Sequence, residues 1–165
     1  MSLAEEYELL RRVPFFAEIE PAKLKLLAFM SERVGYDSGK VLFRQGDRAD
    51  AAYLIIEGEA DILIDTPNGP ATIATLGVND IVGEMAILGD VPRTATVQAK
   101  SRLVALRIAK DPFMRMVREF PNMSVSIMRE LAHRLELTNH QLQRALTEVQ
   151  RLRQGENQSA AAPAE

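Results

Sequence analysis

The sequence predicts an α+β domain: an antiparallel β-barrel or jelly roll flanked by N-terminal helices and a long C-terminal helix. Three observations predict it. Apolar residues recur at helical spacing in residues 3–33. Residues 34–108 break into short β-rich runs separated by Gly, Asp, Asn and Pro. Residues 111–153 return to a helical pattern whose apolar spacing alternates three and four without a slip.

In the N-terminal zone, Leu3, Tyr7 and Leu10, then Leu26, Leu27 and Met30, share helical spacing. Pro21 suits the first position of a second helix, because its missing N–H is one that a helix start leaves unpaired, and Glu20 precedes it. Val13-Pro14-Phe15-Phe16 forms an apolar elbow expected to pack on the body of the domain. The barrel zone covers residues 34–110. Its candidate strands are Val41–Phe43, Ala52–Ile56, Ala60–Ile64, Ala71–Leu76, Ala95–Ala99 and Leu103–Ile108. Gly46-Asp47, Glu57-Gly58-Glu59, Pro67-Asn68-Gly69, Gly77-Val78-Asn79-Asp80 and Lys100-Ser101 supply turns between them. Many short strands at this spacing fit a closed or rolled antiparallel sheet, which limits its exposed edges.

Asp111-Pro112 reads as a cap followed by a first helical residue. A short helix over 112–119 stops near Pro121, and a long one runs from about Met123 to Arg153. One seam of the long helix reads Met128, Leu131, Leu135, Thr138, Leu142, Ala145, Val149 and Leu152. At about 1.5 Å per residue this repeat outruns a small barrel, so a homodimer through helix 123–153 is expected. Residues 154–165 read as a disordered tail.

The chain has 165 residues, enough for one domain with a hydrophobic core. A net charge of −3 argues against coating nucleic acid, which needs a basic surface. The absence of cysteine excludes disulfides and thiolate metal sites. Apolar runs are too short to span a membrane, and the acidic, amphipathic N-terminus is unlike a signal peptide, so a cytoplasmic location is expected.

Chemistry concentrates in residues 82–97. Gly83 permits backbone shapes that other residues resist. Glu84–Leu88 is long enough for one helical turn, whose free amides can receive an anion. Arg93 adds a planar cationic fork suited to phosphate oxygens. Glu84 would repel an anion unless it held a separate donor such as a sugar hydroxyl. An anion receptor beside a hydroxyl acceptor suits a phosphorylated sugar.

Gly83-Glu84, then Pro92-Arg93-Thr94-Ala95-Thr96-Val97 leading into a strand, resembles the phosphate-binding cassette of cyclic nucleotide-binding domains. That family includes the catabolite activator protein, kinase regulatory subunits and gated channels. Gly39-Lys40-Val41-Leu42-Phe43-Arg44-Gln45-Gly46-Asp47 is similar to its early strand and turn, and Tyr53–Ala60 to its next hairpin. The resemblance covers roughly residues 10–140. It implies that Arg93 pairs with the cyclic phosphate and Glu84 accepts from the ribose 2′-hydroxyl. It implies also that amides around Met85, Ala86 and Ala95 face phosphate or sugar, and that Gly83 makes the turn. A hydroxyl at Thr94 resembles that of cGMP-preferring members, although cAMP binders carry it too. Thr138-Asn139 resembles the pair that contacts adenine from the long helix of the catabolite activator protein. Thr138 is also the one polar break in the heptad, so base contact and dimer register both remain open.

His133 and His140 lie on the last helix with no third ligand evident, so no metal is expected, nor any cofactor beyond the nucleotide itself. Asp47, Asp50, Asp61 and Asp65 read as turn or solvated-face carboxylates. No nucleophile–base arrangement is suggested, and the protein is not expected to be an enzyme. Residues 154–165 are too few for a helix-turn-helix module, so direct DNA binding is not expected. The expected function is a cyclic nucleotide sensor, cAMP favoured over cGMP, signalling through its C-terminal helices to an unknown downstream protein. The alternative is a nucleotide-free dimerisation scaffold.

Overall fold

A computed structural model describes residues 2–161. The chain divides into two compact units after Ser126. In the first, helix α1 (Leu3–Arg11) is opened by Ser2, whose hydroxyl accepts from the Glu5 N–H while the Glu5 carboxylate accepts from the Ser2 N–H. A 3-10 turn (Pro14–Phe16) leads to α2 (Pro21–Phe29), with Pro21 in its first turn as its missing N–H allows. The elbow packs inward: Phe15 and Phe16 are buried, and Phe16 meets Phe113 edge-on at 6.1 Å.

Eight strands follow among the described residues: β1 (Glu32–Tyr36), β2 (Val41–Phe43), β3 (Ala51–Glu57), β4 (Ala60–Thr66), β5 (Gly69–Leu76), β6 (Ile81–Val82), β7 (Thr96–Ala99) and β8 (Leu103–Ala109). They form two four-stranded antiparallel sheets, ordered β1-β8-β3-β6 and β2-β7-β4-β5. The expected jelly roll is therefore observed as a β-roll of two facing sheets. Alternation along β3 explains its burial on both faces. Ala51, Tyr53 and Ile55 join Val82, Val97, Ala99, Leu103 and Ala105 inside the roll. The alternate positions Leu54 on β3, and Leu106 and Ile108 on β8, are also fully buried, as are Leu10, Leu24 and Phe113 from the helices. Each central strand thus serves two apolar layers. The short helix α3 (Glu84–Gly89) interrupts the strands between β6 and β7, and α4 (Lys110–Glu119) follows β8.

Three expectations need correction. The N-terminal helical zone ends at Phe29 rather than residue 33, because Glu32–Tyr36 pairs with β8, Val34 opposite Ala105. Helix α4 begins at Lys110, before the Asp111-Pro112 cap. Its flanking residue is Ala109, and the Lys110 N–H donates instead to the Asp50 carbonyl. The last helix, α5, runs Pro121–Ala160, so residues 154–160 are helical and not a disordered tail. Propagation explains this: each added residue of a formed helix gains a bond at the cost of one residue's freedom, and Gly155 opposes it by only about 1 kcal/mol. Residues 162–165 of the expected tail lie outside the described residues. In the second unit α5 exposes Met128, Leu135, Leu142, Val149 and Leu152. Among the described residues no helix is long and apolar enough to cross a membrane.

Candidate functional site: the cassette around Arg93

The cassette is the stretch from β6 through α3 to β7. Gly83 precedes α3 with φ 85°, a left-handed conformation that an L side chain resists. Space forbids a side chain as well: a Cβ there would stand 2.5 Å from Arg93 Nη1 and 3.1 Å from Phe43 Cε1. The Gly83 carbonyl accepts from Arg93 Nη1 at 2.7 Å. Glycine is therefore the partner and the spacer of Arg93 at once.

Arg93 is buried, with only 3% of its surface exposed. Its backbone is clamped from both directions. The Arg93 N–H donates to the Asp47 carbonyl at 2.8 Å, and the Gly46 N–H donates to the Arg93 carbonyl at 2.8 Å. The turn holding those partners is itself closed by the Asp47 carboxylate, which accepts from the Arg44 N–H at 3.0 Å. The Thr96 hydroxyl accepts from the Gln45 N–H at 2.9 Å, joining the turn to β7. The segment from Gly39 to Asp47 thus serves the site by fixing the backbone that carries the cation.

The guanidinium has five N–H donors. Nη1 is held by Gly83, and Nη2 donates to the Ala51 carbonyl and lies 3.5 Å from Asp50 Oδ1. Its plane carbon sits 3.9 Å from the centre of the Phe43 ring, which in turn lies 5.9 Å from the Tyr53 ring. Nε is buried and has no hydrogen-bond partner. Burial pulls the guanidinium below its ordinary pKa, while Tyr53, Asp50, Asp47 and Glu84 act in the opposite sense. A cation held this way is kept dry and oriented, with its Nε–H uncommitted. That is a receptor for an anion with oxygen acceptors.

The other cassette residues surround it. Glu84 is buried at 2% exposure, Ala86 is buried and Ala95 half-buried. Met85 and Thr94 are exposed. Thr138 and Asn139 lie on α5 in the second unit, both exposed, and the Thr138 hydroxyl donates to the Arg134 carbonyl at 2.8 Å.

Asp50 was expected to be a solvated turn carboxylate. It is exposed, yet its two oxygens face Arg93 at 3.5 Å and Arg107 at 3.1 Å, and its carbonyl holds the first amide of α4. Phe43 and Ala51 were also not expected at the cation. Ala51 contributes only a carbonyl, which residue type cannot announce. Among the described residues, no group of three His, Cys, Asp or Glu side chains is placed to hold a metal ion.

Comparison with known proteins decides the family. Residues 33–120 match the family described as the cyclic nucleotide-binding domain. The chain belongs to that family. A CRP-like cAMP-activated global transcriptional regulator of Mycobacterium tuberculosis is 29% identical over 136 residues, 82% of this chain and 61% of the regulator. The cAMP-dependent protein kinase regulatory subunit of Schizosaccharomyces pombe is 35% identical over 109 residues, 66% of this chain and 26% of the subunit. This domain thus spans about three fifths of the first relative and a quarter of the second. Among solved structures, the sensor domain of the transcriptional regulator DNR from Pseudomonas aeruginosa superposes with a TM-score of 0.75 at 26% identity. That match covers 82% of this chain and 91% of the sensor domain.

Proposed function

We propose that this domain is a cyclic nucleotide receptor, selective for cAMP over cGMP, whose occupancy is reported by α4 and α5. The observation that carries the reading is Arg93: a fully buried guanidinium, backbone-clamped and stacked on Phe43, whose Nε–H lacks a partner. Burying such a donor costs about 1–3 kcal/mol unless a ligand engages it. A cyclic phosphodiester supplies one negative charge and two free oxygens, which fit Nε and the remaining Nη hydrogens side by side. Glu84 is assigned to the ribose 2′-hydroxyl, with the amides around Met85, Ala86 and Ala95 as further donors and Thr94 beside them. Thr138 and Asn139 are the candidate contacts for the purine. The preference for cAMP rests on the two relatives whose names declare a cAMP response.

The reading is regulatory: a clamped cation, amide donors and a stacking ring bind and orient an anion. We further assign the exposed seam of α5 to a second copy of this chain. Leu135 and Leu152 are 61% and 59% exposed, far from the burial such residues seek. In a parallel, in-register pair, Glu148 at a flanking position faces Arg153 of the other copy, an opposite-charge match.

The test is calorimetric titration of nucleotide-stripped protein with cAMP and cGMP, beside an Arg93→Ala variant. Micromolar or tighter cAMP binding, about −8 kcal/mol, is expected, weakened by about 2–5 kcal/mol in the variant. Equal affinity in the variant would remove Arg93 from the phosphate. No binding of either nucleotide, with the dimer intact, would favour the scaffold alternative.

A further inference from the structure

Two charged residues near the cassette each sit at the unfavourable end of their own helix. Asp90 ends α3, where the helix dipole is negative and repels a carboxylate. It also adopts a left-handed backbone, φ 49° and ψ 49°, at a position where glycine is the cheaper residue. Lys110 opens α4, where the dipole is positive and repels an ammonium. No side chain caps that helix start. Local rules argue against both residues, and such conflicts are resolved by something outside the element. What resolves them here is each other: Lys110 Nζ donates to Asp90 Oδ1 at 2.9 Å. The Lys110 ammonium, with Arg48 nearby, holds the Asp90 carboxyl below its ordinary range. Lys110 is gripped a second time through its N–H, which donates to the Asp50 carbonyl at 2.9 Å.

From this geometry we infer that the Asp90–Lys110 pair is a strap that ties the far end of the cassette helix to the start of α4 and carries nucleotide occupancy from one to the other. The strap rests on the nucleotide reading for its second role only. Asp90 and Lys110 are positioning residues: neither is assigned a ligand contact. The cassette helix α3 has its first turn at the proposed phosphate site and the residue that caps its far end, Asp90, on the strap, so movement at one end is delivered to α4 through the other.

The experiment is backbone hydrogen exchange on the full chain and on Lys110→Met, Asp90→Asn and the double variant, with and without cAMP. The readouts are the Val91 amide, which donates to Ala86 at the end of α3, and the Phe113 and Met114 amides of the first turn of α4. Without nucleotide, each single variant should speed exchange of the Phe113 and Met114 amides about two- to fivefold, the scale of an exposed pair. The double variant should be no worse than either single one, because the two residues act as a pair. Helix electrostatics alone predicts the reverse sign, since each substitution removes a charge from the wrong end of a helix. Unchanged or slower exchange in the single variants overturns the strap.

With cAMP, the wild-type chain should gain protection at Val91 and at Phe113 and Met114 together. Lys110→Met should gain it at Val91 alone. Equal gains at both places in that variant overturn the transmission role. If cAMP fails to bind the wild-type chain, the nucleotide reading falls, and the nucleotide-free comparison still decides whether the strap exists.

Discussion

Replacing Gly83 by alanine tests the site through the backbone instead of the charge. Two costs follow from the structure. A left-handed φ of 85° imposes about 1–2 kcal/mol on a residue with a Cβ. The added Cβ also lands 2.5 Å from Arg93 Nη1, so the guanidinium must move and its bond to the Gly83 carbonyl stretches or breaks. A charge-assisted bond of that kind contributes about 1.5–3 kcal/mol net. Arginine is flexible at its end and recovers part of this, so we expect about 3 kcal/mol of lost stability. Urea unfolding followed by circular dichroism suits a chain with no tryptophan. With a slope of about 1–3 kcal/mol per molar urea, the midpoint should fall by about 1–3 M at unchanged slope. Cyclic AMP affinity should fall with it, because the anion receptor is displaced. Gly77→Ala is the control: a Cβ there meets nothing within 4 Å. A Gly83→Ala midpoint within error of the Gly77→Ala midpoint would refute the argument that the Arg93 site requires glycine at this position.

Two further outcomes are expected. Leu142→Glu places a carboxylate in the α5 seam, where two copies would confront like charges, and should convert a dimer to a monomer by light scattering. A monomeric wild-type chain at micromolar concentration would remove the dimer instead. Desolvation, then the neighbouring Tyr53, pushes the Tyr36 phenol up to about 12 from the ordinary value near 10. Between those values the folded chain keeps a proton that the unfolded chain releases, so stability should decline as pH rises from about 10 to about 12. Absorbance titration should show a phenol ionising late in the folded protein and lost on Tyr36→Phe; the absence of any late phenol would contradict the desolvation of Tyr36.

Much of the site could be read in the sequence because its chemistry is local. Gly83 and Glu84 open a six-residue helix, and Arg93 follows within one loop, so spacing alone places them together. The strand pattern was legible for the same reason: alternation and turn residues are properties of neighbours in the chain. The heptad of α5 needs only its own spacing. Strands β1 and β6 escaped that reading. Glu32–Tyr36 opens on two charged residues and sets a glycine between its two apolar residues, Val34 and Tyr36, and Ile81–Val82 is two residues long, so neither offers enough alternation to detect. They are strands because β8 and β3 pair with them.

What sequence determined by itself, then, is the class of fold and the short segment that carries the Arg93 cation beside Gly83 and Glu84. Tertiary structure alone decided how that cation is held. Asp50 looks like any turn aspartate until the chain brings Arg93 and Arg107 to its two oxygens. The carbonyls of Ala51 and Gly83 become arginine acceptors only through folding, and no side chain advertises them. Asp90 and Lys110 are twenty residues apart and wrongly placed for their own helices. The physical reason is common to all: a contact between distant segments depends on where β3, β8 and α3 come to rest, which the packing of the whole roll sets and no short stretch of sequence encodes.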